Sequence, residues 1–71
     1  MNRAVLDQVD IVTTNIKKVR LYKGYTQEYV AMKLGCSQNT YSKIELGAIK
    51  LTVIRLLEVA DILEVDTFAL L

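Results

Sequence analysis

Gln38, Asn39, Ser42 and Lys43 recur at spacings of one, three and four, and spacings of three and four stack side chains on one face of a helix. A glutamine or asparagine carboxamide can make paired hydrogen bonds to an adenine edge, and a lysine can reach the acceptors of guanine. A helix face with this make-up suits the reading of base edges in a major groove. The plainer alternative is a solvated polar face, which every surface helix has. Earlier in the chain, Gln27 offers a side-chain amide beside the free backbone N–H groups of a helix start, a favourable place for an anion. The chain has no histidine, no metal-ligand cluster and no glycine-rich phosphate loop, so neither an enzyme nor a bound metal or cofactor is expected.

The elements that must hold these residues can be read from caps and periodicity. Val5, Val9, Val12, Ile16 and Val19 alternate spacings of four and three, the signature of one helical face. Asn2 and Asp10 are both candidate caps for this first helix. Asp10 is the preferred boundary, because the β-branched residues Ile11, Val12, Thr13 and Thr14 weaken a helix there. Residues 1–9 then form an N-terminal arm or a helix extension. Gly24 ends the helix in a left-handed conformation.

Thr26 caps a second helix with Glu28 in its first turn and Val30, Ala31 and Leu34 inside. Tyr25 packs just before it. Gly35 stops it, and only Cys36 and Ser37 remain before a third helix, so the two axes must cross steeply. Ser37 caps that third helix, Tyr41, Ile44 and Glu45 turn inward, and Gly47 ends it. Thr52 caps a fourth, with Val53, Leu56, Leu57, Ala60 and Leu63 as its apolar stripe. Asp66 caps a short fifth helix through Leu71, with Phe68 and Leu71 closing the core. Ile54 and Ile62 fall off the inner stripe of the fourth helix, beside Glu58. They are either stray surface aliphatics or contacts of a homodimer, joined by Val5 and Leu6.

Composition agrees with a single small all-α domain. The chain has 71 residues, 52% of them hydrophobic, with no proline and three glycines. Cys36 is alone, which excludes an internal disulfide and suits a reducing compartment. No apolar run approaches the roughly 20 residues of a membrane span, and the start lacks the apolar core of a signal peptide. A cytoplasmic protein is expected. Net charge is only +1, but its distribution is uneven. Residues 17–50 hold Lys17, Lys18, Arg20, Lys23, Lys33, Lys43 and Lys50 against Glu28 and Glu45, a balance of +5. Residues 51–71 hold Arg55 against Glu58, Asp61, Glu64 and Asp66, a balance of −3. The basic charge therefore belongs to the segment that contains the second and third helices, and an acidic tail masks it.

Residues 26–47 resemble the Cro/repressor-type helix-turn-helix, the lambda-repressor-like domain of the XRE family. The likeness rests on the TQE opening of the second helix, Ala31, the turn Gly35, and the IE-x-G ending formed by Ile44, Glu45 and Gly47. The ending LLEVADILEVDTFALL is similar to the family's fourth and fifth helices, and the likeness extends over residues 10–71. Leu51 departs from the pattern where the family often has proline, and Glu64 where glycine commonly follows the fourth helix. The resemblance implies a compact five-helix domain whose third helix reads double-stranded DNA. It places Gln38, Asn39 and Lys43 as base readers, with Ser37, Thr40 and Ser42 as secondary candidates. It places Gln27 and Lys50 at phosphates and Arg20 in a buried ion pair with Glu45. Tyr41 would have its ring in the core and its hydroxyl at the phosphate edge.

The function so implied is sequence-specific DNA binding by a transcriptional repressor, as a homodimer if the operator is palindromic. The alternative is a protein-interaction module on the same fold, such as an antitoxin bound to a protein partner, which the low net charge and outer aliphatics favour.

Overall fold

The computed structural model describes residues 3–71, the side chains of residues 3, 4, 6 and 7 excepted. Asn2, a candidate cap, and Leu6, a candidate dimer contact, lie outside the described residues. The described chain is all-helical, in the order α1 (Arg3–Lys23), α2 (Gln27–Leu34), α3 (Gln38–Leu46), α4 (Val53–Leu63) and a closing 3-10 helix (Thr67–Leu70). Four α-helices are therefore present, and the expected fifth is a single 3-10 element.

Asp10 does not start α1. The helix runs through it, and its 21 residues at about 1.5 Å each nearly match the molecule's longest extent of 33 Å. The β-branched run costs only about half a kcal/mol per residue in helix propensity. Burial of Val12 and Ile16 in the core outweighs it. The buried Thr13 hydroxyl is satisfied within the helix, donating to the Asp10 carbonyl at 3.2 Å.

One apolar cluster joins all the elements. Val12 and Ile16 of α1 meet Val30, Ala31 and Leu34 of α2, Tyr41 and Ile44 of α3, Val59, Ala60 and Leu63 of α4, and Leu70. Leu51, standing where the family often has proline, packs half-buried against this cluster.

On α4 the buried face is rotated from the expected stripe. Val53 is 72% exposed and Leu57 is exposed as well, whereas Val59 is buried and Ile62 is half-buried against the core. The rotation comes from α4 packing against α2 as well as α1. The Arg55 guanidinium donates to the Leu34 carbonyl at the end of α2, at 3.2 Å. That bond draws the Arg55–Val59–Ile62 side of the helix inward. Of the two candidate dimer contacts on α4, Ile54 alone is on an open surface, at 71% exposure, and Val5 of α1 is exposed as well.

The closing element also presents a different residue. Leu70 is fully buried, whereas Phe68 is 81% exposed and Leu71 is exposed. With three residues per turn, Thr67 and Leu70 eclipse and share one face. The Asp66 carboxylate caps the element through the Phe68 N–H at 3.0 Å. Asn15 of α1 donates to the Leu70 carbonyl at 3.1 Å, turning that face inward.

All four α-helices end alike. After α2, Gly35 N–H donates to Met32 O at 3.1 Å and Cys36 N–H to Ala31 O at 3.0 Å, the paired bonds of a Schellman turn. The same pairing closes α1 at Gly24, α3 at Gly47 and α4 at Glu64. The motif needs a positive φ at its turning residue. Gly35 meets this at φ +76 without strain, but Glu64 must hold φ 59 as an L residue. Its carboxylate gains only an exposed 3.3 Å bond from the Tyr25 hydroxyl.

Glu64→Gly should therefore stabilise the fold. The left-handed conformation costs an L residue about 1–2 kcal/mol, and a glycine's extra freedom when unfolded takes back about 0.4–1. The expected gain is roughly 0.5–1 kcal/mol, read as a higher urea midpoint at unchanged slope. A lowered midpoint would mean that the Tyr25 contact outweighs the strain.

Candidate nucleic-acid interface

α3 is fixed at both ends and along its inner face, leaving the outer face open. Ser37 caps it, its Oγ accepting from Thr40 N–H at 3.1 Å while donating to Thr40 Oγ1 at 3.0 Å. Those two hydroxyls are thus engaged with one another. Tyr41, Ile44 and Glu45 are buried. Gln38, Asn39 and Lys43 are exposed, and Ser42 and Thr40 are half-buried beside them. Leu46 stands on the same face, three positions from Lys43 and four from Ser42, and is 76% exposed. The helical spacing alone places it there, although its apolar side chain would ordinarily be assigned to the core. An aliphatic tip is suited to the methyl group of thymine.

Behind the helix, one carboxylate gathers four donors. Arg20 Nε donates to Glu45 Oε2 at 2.6 Å and Arg20 Nη2 to Glu45 Oε1 at 3.1 Å, a two-pronged pair between groups only 6% and 8% exposed. The Tyr41 hydroxyl donates to Oε2. Gln27 Nε2 donates to Oε1 at 3.2 Å. The guanidinium also donates through Nη1 to the Tyr25 carbonyl at 2.8 Å. A single ion pair so ties α1, the α1–α2 turn, the start of α2 and the last turn of α3. The Tyr41 hydroxyl therefore turns inward to Glu45 and does not reach a phosphate edge.

Electrostatics reflect this packing. Burial pushes the Glu45 carboxyl up, but the hydrogen bonds from Arg20, Tyr41 and Gln27 together outweigh it, and the group is held below the ordinary glutamate range. The Glu45 hydrogen bond, opposed by burial, raises Arg20 further above its already high value. Burial first, and then the bond to Glu45, push the Tyr41 phenol well up, so it remains a donor.

The remaining sequence-derived residues lie around this centre. Gln27 is half-buried at the first position of α2, with one amide hydrogen committed to Glu45. Nothing in the sequence signals that bond, since α2 and α3 must be docked before the two groups can meet. Lys50 is exposed in the α3–α4 connection. An apolar groove lined by Val9, Val12, Leu51, Val53 and Leu56 runs between α1 and the start of α4, and no residue of α3 enters it. Among the described residues no group of three or more histidine, cysteine or acidic side chains is placed to hold a metal ion. No helix among them is long and apolar enough to cross a membrane.

Comparison with known proteins bears on the same region. A family model described as helix-turn-helix matches residues 16–70. An uncharacterized HTH-type transcriptional regulator, y4dJ, of Sinorhizobium fredii is 39% identical over 61 residues, covering 86% of this chain and 79% of that protein. No solved structure gives a significant match.

The buried pair makes two outcomes measurable. Glu45→Ala leaves the Arg20 charge buried without its partner and should cost roughly 3–5 kcal/mol of unfolding free energy, with a matching fall in melting temperature. Acid should act through the same group. Because its folded pKa is depressed, the Glu45 contribution is complete above the ordinary value near 4.5 and disappears as pH falls through the lower folded value. Glu45→Gln should therefore show a shallower loss of stability below that point in urea melts at stepped pH. Parallel curves for the two proteins would exclude the assignment.

Proposed function

Because the chain belongs to the helix-turn-helix family, of the Cro/repressor type, we propose that it binds double-stranded DNA sequence-specifically with α3 in the major groove. It acts as a cytoplasmic transcriptional regulator, repressing by occupying the site that polymerase needs. The observation that carries this reading is the outer face of α3. It combines two carboxamides, a lysine and an aliphatic tip on a short helix whose inner face is locked by Glu45. The arrangement is the five-element, lambda-repressor-like one, with its last element shortened to a 3-10 turn.

In this reading Gln38, Asn39 and Lys43 meet base edges, with Ser42 and Leu46 beside them. Gln27 and Lys50 meet phosphates. Ser37 and Thr40 first serve the cap of α3, and their backbone lies at its N-terminus, where an anion is favoured. The six exposed lysines of residues 17–50 add a long-range attraction to the phosphate backbone.

We further infer a homodimer that joins through the outer side of α4, where Ile54, Val53 and Leu57 are exposed together. Two copies related by a two-fold axis would address half-sites about 34 Å apart on a palindromic operator.

Binding should separate into two kinds of contact. Lys50→Ala should weaken all sequences alike and reduce the slope of log affinity against log salt by about 1. Gln38→Ala should instead cost about 1–3 kcal/mol on the selected site and relax preference at one base position. In-vitro selection from a random duplex pool, followed by titrations at several salt concentrations, reads both. Equal binding of random and selected DNA at physiological salt would sink the specific-regulator reading. The dimer is a separate matter. Sedimentation should show two copies on a palindromic site, and a monomer both free and bound would remove it.

A further inference from the structure

Of the four donors on Glu45, Arg20 Nε, Arg20 Nη2 and Tyr41 Oη belong to buried residues, and only Gln27 Nε2 belongs to a residue that also reaches the surface. An ionised carboxylate accepts and cannot donate, so the amide must turn its nitrogen, not its oxygen, toward Glu45. One Nε2 hydrogen is thereby committed. The second is left over, and the Gln27 side chain makes no other hydrogen bond among the described residues.

We propose that Glu45 is a positioning residue for DNA: through its hydrogen bond it orients the Gln27 carboxamide so that the second Nε2 hydrogen is presented to a backbone phosphate. The proposal rests on the DNA-binding reading and deepens it. Without the bond, a glutamine at a helix start samples many rotamers and either amide end can face outward, and the oxygen end repels a phosphate. With it, the side chain is oriented before DNA arrives, and binding need not order it. The same carboxylate is anchored by Arg20 and Tyr41, so the phosphate contact at the start of α2 and the presentation of α3 are set from one point. Base reading and backbone contact are then held in fixed register.

A double-mutant cycle on DNA affinity tests this, with urea melts confirming that each variant is folded. Glu45→Asp keeps a charge for Arg20 but withdraws the carboxylate from Gln27. With Glu at position 45, Gln27→Ala should weaken every duplex about tenfold, the worth of a hydrogen bond to a charged group. With Asp there, Gln27→Ala should cost less than about threefold. Equal losses in both backgrounds would overturn the positioning role while leaving DNA binding intact. A merely structural role for Glu45 predicts that additive result. A second measurement needs no variant. In the free wild-type protein the Gln27 side-chain amide should give NMR resonances displaced from averaged glutamine positions, with restricted motion. Averaged positions would overturn the proposal. If the wild type binds no duplex at all, the DNA reading itself fails, and this role with it.

Discussion

The Glu45 carboxylate is the constraint to which the rest of the molecule is fitted. Taking a carboxylate and a guanidinium out of water costs several kcal/mol per ion, and their attraction offsets this only when the geometry is good and the spare lone pairs are filled. Here they are filled: two donors come from Arg20, one from Tyr41 and one from Gln27. A hydrophobic pair of similar volume could serve stability as well. It could not impose direction, whereas a two-pronged guanidinium–carboxylate pair fixes a plane and a distance. The ion pair specifies where α3 lies relative to α1. A helix that must match a groove depends on that quantity, and bulk stability does not supply it.

The helix ends complete this constraint. Gly35 reverses α2 with the Schellman pairing, and Ser37 immediately starts α3, so the linker has little freedom to change the angle between them. The Gly35 turn and the Ser37 cap act at one end of α3, and the Glu45 cluster acts at the other. The nine-residue α3 would be marginal as an isolated helix. Pinned at both ends and packed through Tyr41 and Ile44, it becomes a rigid support for exposed polar side chains.

Legibility in the sequence depends on which signals are local. Thr26, Ser37, Thr52 and Asp66 cap the elements assigned to them, because a cap is a bond between residues two or three apart. The three glycines end helices for an equally local reason. Features that depend on neighbours are harder to read. The start of α1 lies before Asp10 because a β-branched run is a weak penalty that distant core residues override. Periodicity says that α4 has an apolar side, but not that α2 covers Val59 and Ile62 while leaving Val53 and Leu57 open. Side-chain size points to Phe68, whereas the pitch of a 3-10 turn selects Leu70 for the core. On α3, the outward residues are legible from helical spacing alone. The inward bonds of Tyr41 and Gln27 require the docked helices.

Charge is divided between the two halves of the molecule in a way that bears on discrimination. The exposed cations Lys17, Lys18, Lys23, Lys33, Lys43 and Lys50 belong to α1–α3 and the connection after them, whereas exposed Glu58, Asp61, Glu64 and Asp66 belong to α4 and the turn beyond it. Arg20 and Glu45 neutralise one another inside and add nothing to the outer field. A molecule with net charge +1 is therefore a dipole more than a cation. A polyanion attracts a dipole weakly at long range but orients it strongly nearby. The acidic α4 opposes binding by that side, while the lysines of α1–α3 and the connection after them favour approach by the rest of the molecule. Low net charge thus limits indiscriminate attachment to phosphate, and discrimination is left to the short-range contacts of the α3 face. A regulator needs that division of labour when nonspecific sites vastly outnumber its own.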